Sequence, residues 1–131
     1  MGLDAVVLAG RANDGKLRGA SAEAWEALID IAGKPMLQYV IDALEGASSV
    51  GEIVVVGPGE VFRDRIRTVR ARYVPQGDSM IDNLSRGFQA LPDCDRALIC
   101  TCDIPLITPR VVDGFISECD PEAADFYYPV I

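Results

Sequence analysis

The stretch Leu98 to Pro109, L-I-C-T-C-D-I-P-L-I-T-P, joins an apolar run to a helix start across one carboxylate. The run from Ala97 to Cys102 fits a buried strand, and it stops at Asp103. Pro105 breaks the chain, and Thr108-Pro109 then supplies a hydroxyl at N-cap and a proline at the first helical position. One acidic side chain therefore stands between a strand and a crossover helix. In open α/β sheets, ligands lie outside the carboxyl ends of the strands. Asp is also a turn residue that bonds its own backbone, so this stretch alone leaves a ligand role and a turn role both open.

The same strand-then-loop grammar recurs through the chain. Leu3 to Ala9 fits a buried parallel strand. It opens into G-R-A-N-D-G-K-L-R-G, Gly10 to Gly19, which carries three glycines and the cations Arg11, Lys16 and Arg18. Glycine-rich backbone with basic side chains directly after a strand suits an anion-cradling loop, although it is neither the Walker pattern nor G-x-G-x-x-G. A solvated surface loop is the alternative.

Ala20 to Leu28 has the composition of about two turns of helix. A second helix follows Pro35, with Met36, Leu37, Val40, Ile41 and Leu44 at helical spacing. Lys34, just before it, can face a ligand or solvent. Glu52 to Val56 is a strand ended by Gly57-Pro58-Gly59. Glu60 to Ile66 is a short helix, and Val69 to Val74 a strand whose Arg70 and Arg72 suit a charged sheet edge. Met80 to Leu91 is an amphipathic helix with Met80, Ile81, Leu84, Phe88 and Leu91 inward; Asp78 or Ser79 can cap it. Arg96 to Cys102 is the next strand, Arg110 to Glu118 a helix, and Ala124 to Ile131 a final strand or extended segment. The alternation predicts an α/β fold with a mainly parallel sheet. The loops at Gly10, Gly57, Gln76 and Asp103 would then gather along one sheet edge.

With 131 residues the chain is one domain at most, half apolar and about a quarter charged, hence globular. Its formal charge of −8 argues against nucleic acid or an anionic membrane as the main partner. Basic residues beside a small phosphorylated ligand still act locally, because salt screens the global field within about 8 Å. No run approaches the ~18 apolar residues of a membrane span, and the start lacks the pattern of a signal peptide. Cys94, Cys100, Cys102 and Cys119 are expected as free thiols of a cytoplasmic protein, with Cys100 and Cys102 packed in the core. No histidine is present and C-x-C is not a zinc spacing, so the cysteines do not suggest a metal site. The strand-like D-F-Y-Y-P-V-I at residues 125–131 predicts further chain, making 1–131 the N-terminal portion of a longer nucleotide-binding domain. No feature of the sequence fixes an oligomeric state.

Four blocks together resemble the MobA-like nucleotidyltransferases, the molybdenum-cofactor guanylyltransferase type within the nucleotide-diphospho-sugar transferase fold. They are V-V-L-A-G at Val6 to Gly10, A-G-K-P-M-L at Ala32 to Leu37, G-D-S-M at Gly77 to Met80, and C-D-I-P-L-I-T at Cys102 to Thr108. The resemblance implies a Rossmann-like, three-layer α/β/α architecture. It implies transfer of a nucleoside monophosphate from an NTP to a phosphorylated or sugar-like acceptor, with Mg²⁺ and release of pyrophosphate. By the same resemblance, Ala9, Gly10, Arg11 and the following loop hold the triphosphate, with Lys34 near phosphate. Gln76, Gly77, Asp78 and Ser79 lie near base and ribose, and Asp103 binds Mg²⁺; a second metal ligand of such enzymes comes late in the chain.

Two departures bear on catalysis. Gly10 is followed by Arg11 and an insertion, where the family loop runs G-G or G-x-G before its arginine. Glu26 also occupies the position, eight residues before Lys34, of a phosphate-contacting lysine. A carboxylate at ~4 Å from a phosphate would cost about 1–4 kcal/mol; Lys16 or Arg18 would have to replace the missing cation. Three functions are then in play: a Mg²⁺-dependent nucleotidyltransferase with Lys16, Arg18 and Asp103 catalytic, a degenerate nucleotide- or sugar-phosphate-binding module, and a glycosyltransferase of related fold. The last usually carries D-x-D, whereas Asp103 is followed by Ile104 and Pro105.

Overall fold

The computed structural model describes residues 2–130. Its elements in order are β1 (Leu3–Leu8), β2 (Asp30–Ile31), β3 (Lys34–Pro35), α1 (Met36–Gly46), β4 (Val50–Val56), α2 (Gly59–Phe62), β5 (Ala71–Val74), α3 (Met80–Gln89), β6 (Leu98–Thr101) and α4 (Pro109–Glu118). The main sheet is parallel throughout, in the order β5-β4-β1-β6. After β1 the chain moves outward on one side through β4 and β5, then crosses back to place β6 on the other side of β1. The strand order thus reverses at β1, which makes the crevice between β1 and β6 a topological switch point.

Strand alternation sorts the core into two layers. Ala5, Val7, Ile53 and Val55 face Leu37, Val40, Ile41 and Leu44 of α1, Phe62 of α2 and Val112 of α4. Val6, Val54 and Val56 face the opposite way, toward Leu91. There α3 lies against the sheet at Gly87, where an added Cβ would stand only 2.4 Å from Val6 Cγ1. This is the expected three-layer α/β/α arrangement. The two helix starts read from sequence are also present: Ser79 Oγ accepts from Asp82 N at 3.1 Å and Thr108 Oγ1 from Val111 N at 3.2 Å. Both satisfy amides that the helix itself leaves unpaired. Asp78 is not the cap.

Three expectations require correction. Ala20 to Leu28 is not a two-turn helix; short 3₁₀ turns form at Lys16–Gly19 and Glu26–Leu28 instead. Tertiary pairing overrides the helix-forming composition: Ala12 bridges to Trp25, and the Asn13 amide donates to Ser21 O at 3.1 Å and Glu23 O at 2.9 Å. Secondly, Met80, Ile81 and Phe88 are not inward but 66%, 75% and 36% exposed. The helix meets the sheet through Gly87, with Leu91 buried just beyond its end, so its first turn is unsupported. Finally, residues 124–130 form no strand, and Phe126, Tyr128 and Val130 are exposed, because no neighbouring strand among the described residues pairs with them. Ile131, the end of that expected strand, lies outside the described residues. No helix among the described residues is long and apolar enough to cross a membrane.

Candidate active site at the sheet switch point

The candidate site is assembled by strand register. Leu8 is aligned with Val56 on one side and Thr101 on the other, and Val56 with Val74. All four strands therefore finish on one line, and the loops beginning at Ala9, Gly57, Pro75 and Cys102 leave from the same edge. Gly10 and Asp103 each lie two residues beyond the aligned pair Leu8 and Thr101, so they flank the switch-point crevice.

Two of these loops are packed directly together. A Cβ on Gly10 would meet Gln76 Cβ at 2.6 Å and Cγ at 3.0 Å. Only glycine allows the loop after β5 to fold this closely over the end of β1. That second loop is pinned from α3. Asn83 Oδ1 accepts from Gly77 N at 2.7 Å, and Asp82 Oδ2 accepts from Asp78 N at 3.2 Å and from Arg86 Nε at 3.2 Å. The amides of Gly77 and Asp78 are thereby engaged, while the Asp78 side chain stays exposed. Ser79 is committed to the cap of α3.

The loop after β1 is ordered by its own hydrogen bonds rather than loosely solvated. Ala9 is fully buried and donates to Val56 O at 2.9 Å. Besides the Asn13 side-chain bonds, Asn13 N donates to Ala24 O at 2.9 Å and Glu26 N to Arg11 O at 3.2 Å. Arg18 donates weakly to Asn13 O at 3.4 Å, and Lys16 is exposed in the 3₁₀ turn. Asn13 is a structural residue of this loop beyond those expected from the sequence. Its place among the glycines of a loop, where Asn bonds nearby backbone, was the available signal.

Asp103 is exposed, and its carboxylate has no hydrogen-bond or ion-pair partner among the described residues. The turn beyond it closes without its help, through Ile107 N to Ile104 O at 3.1 Å with Pro105 and Leu106 between. The turn-former role left open by the sequence is therefore not the one Asp103 performs.

Glu26 is buried, with 7% exposure, and its Oε1 lies 3.6 Å from Arg11 Nε. Arg11 and Glu26 pair with each other in the loop after β1, and Asp103 follows β6, the strand beside β1. Burial above all, with the charges of Asp103 and Glu26 adding to it and Arg11 opposing, pushes the Cys102 thiol up to about 12. Cys100, buried on the same face, is pushed up to about 11 by desolvation. Both thiols are core residues, as their spacing predicts.

Lys34 stands apart from this group. Its Nζ pairs with Asp42 of α1 at 2.6 Å and lies 4.3 Å above the Tyr39 ring. It follows a tight hairpin in which Ala32 and Gly33 both take positive φ, with Asp30 Oδ1 accepting from Gly33 N at 2.9 Å. Arg70 and Arg72, on or beside the edge strand β5, are engaged structurally. Arg70 donates to Leu44 O and Val50 O, and Arg72 to Ala90 O.

Comparison with known proteins gives the family and the fold. Over 96 residues the chain is 36% identical to the "Probable molybdenum cofactor guanylyltransferase" of Thermococcus kodakarensis, covering 73% of this chain and 46% of the relative. Over 113 residues it is 26% identical to the 8-amino-3,8-dideoxy-manno-octulosonate cytidylyltransferase of Shewanella pealeana, covering 82% and 46%. Among solved structures, a hypothetical transferase from Thermus thermophilus superposes with a TM-score of 0.71 at 28% identity, covering 92% of this chain and 48% of that one. The chain spans about half the length of the proteins it matches. The family model for the MobA-like NTP transferase domain matches residues 5–131. The chain belongs to the MobA-like NTP transferase domain family.

Proposed function

We propose that this protein is a cytoplasmic nucleotidyltransferase. It would move a nucleoside monophosphate from an NTP to a phosphorylated or sugar-like small molecule, releasing pyrophosphate with the help of Mg²⁺. The observation that carries the reading is the shared strand edge: a glycine-rich, cationic loop follows β1, and an exposed carboxylate with no partner among the described residues follows the adjacent, in-register strand β6. Gly10 and Arg11 are read as holding phosphates, with Lys16 and Arg18 supplying further positive charge. Gly77, Asp78 and Ser79 are read as a shaped wall beside the nucleoside, and Lys34 as a more distant contributor that must first leave Asp42.

Asp103 fits a magnesium ligand because it is an exposed, hard oxygen donor with no partner among the described residues. Mg²⁺ is commonly held by one or two carboxylates, with phosphate oxygens and water completing its shell. Bound there, the ion would neutralise charge on phosphate oxygens. Arg11 and the backbone at Gly10 would orient the triphosphate. Catalysis of this type is mostly positioning and electrostatics.

The test is pyrophosphate release from NTPs with Mg²⁺ and an acceptor panel. Asp103→Ala is expected to abolish turnover while leaving the fold intact; a variant that still releases pyrophosphate at the wild-type rate removes Asp103 from the mechanism. One observation favours a second reading, a nucleotide-binding module without turnover. Glu26 puts a carboxylate at the position where the family resemblance implies a phosphate-contacting lysine. Calorimetric NTP binding without any pyrophosphate release would select that reading.

A further inference from the structure

We propose that Glu26 is a positioning residue that tethers Arg11 and presents its two terminal guanidinium nitrogens to the phosphates; this inference rests on the nucleotide-binding reading above. By sign alone a carboxylate here should repel a triphosphate. The geometry points the other way. The Glu26 side chain is 9% exposed, whereas the Arg11 side chain is 70% exposed. The carboxylate is thus shielded from solvent, while the guanidinium paired with it is open to solvent.

The contact is made at Nε, 3.6 Å from Glu26 Oε1. Arg11 uses none of its terminal nitrogens in a hydrogen bond among the described residues. An arginine held at Nε keeps its outer fork available for phosphate oxygens, where it forms paired, charge-assisted bonds. The tether is reinforced by the backbone, since Glu26 N donates to Arg11 O at 3.2 Å and Ala12 bridges to Trp25 next door. Gly15 closes over the pair: a Cβ there would lie 3.5 Å from Arg11 Nη2 and 4.0 Å from Glu26 Oε1. Glu26 therefore replaces a phosphate-contacting cation with a counter-ion that fixes the cation already present.

Tethering and repulsion predict opposite signs. Glu26→Gln keeps the shape and removes the charge. Binding of CTP, GTP, ATP and UTP with Mg²⁺, and of inorganic tripolyphosphate, is measured by calorimetry on protein whose fold is checked by circular dichroism. Tethering predicts that E26Q weakens both tripolyphosphate and the best-bound NTP by about two- to tenfold. In turnover, KM should rise more than kcat falls. The same substitution in an R11Q background should add nothing, and R11K provides a second background that keeps Glu26 compensated. Unchanged or tighter binding by E26Q, or a loss that persists without Arg11, overturns the tether alone. Wild-type protein that binds neither NTP nor tripolyphosphate overturns the nucleotide-binding reading and the tether with it.

Discussion

Substituting alanine at Gly10 puts the packing of the two site loops to a direct test. The new methyl would sit 2.6 Å from Gln76 Cβ and 3.0 Å from its Cγ. A Cβ cannot swing aside as a side-chain terminus can, so relief requires the backbone of Pro75–Gly77 or of Gly10 to move. The first is held by Asn83 and Arg86; the second follows Ala9, whose amide is bonded to Val56. Overpacking of this kind costs about 1–3 kcal/mol. With a urea slope of about 1–3 kcal/mol/M for a small domain, the unfolding midpoint should fall by about 1 M. NTP binding, measured in parallel, should weaken because the loops no longer meet. Gln76→Gly removes the opposing Cβ, so the double variant G10A/Q76G should recover much of the stability lost by G10A relative to Q76G alone. A G10A protein with the wild-type midpoint, or a double variant with no coupling, would refute the close-approach argument.

Other outcomes follow from the same contacts. Ser79→Ala removes the acceptor for Asp82 N and should destabilise the fold by about 1 kcal/mol, read as a shift in urea midpoint. Cys100 and Cys102 keep their protons to about 11 and about 12 in the folded state, against 9.0 for an ordinary thiol. Above pH 9.0 the unfolded chain releases protons that the folded chain retains, so their contribution is complete below that pH and is lost as pH rises toward the folded values. Urea midpoints at about pH 8 and about pH 10.5 should therefore diverge less in a Cys100→Ala/Cys102→Ala variant than in wild type.

The fold is legible wherever local pattern and tertiary packing agree. V-V-L and I-V-V-V read as buried strands, and Ser79 and Thr108 announce helix starts with side chains that can bond the first amides. Legibility fails where a distant partner decides. Ala20 to Leu28 has helical composition, yet the amide of Asn13 claims the carbonyls of Ser21 and Glu23 and holds the segment open. Met80 and Ile81 have inward spacing, but a helix pattern does not reveal where the sheet beneath it ends.

The candidate site divides in the same way. Gly10 and Asp103 are visible because loops after parallel strands share an edge. The charge at Glu26 was visible, but its pairing with Arg11 was not, since the two residues meet only when the insertion folds back. Lys34 carries a motif lysine's sequence context, while its nearest acid, Asp42, reaches it from the following helix.

The strand order also bears on how the protein becomes competent during folding. β4 pairs with both β1 and β5, so one arm of the sheet is built from neighbours in sequence. β6 pairs with β1 alone, and the register that joins Leu8 to Thr101 spans most of the described chain. Pairings of such sequence separation are slow to form, because a long loop must close before any contact rewards it. Arg11 and Asp103 lie in the loops that follow the two strands joined by that step. The crevice exists only once the most distant pairing is made, so a ligand that bridges its two walls would bind the finished sheet and draw the last strand into place.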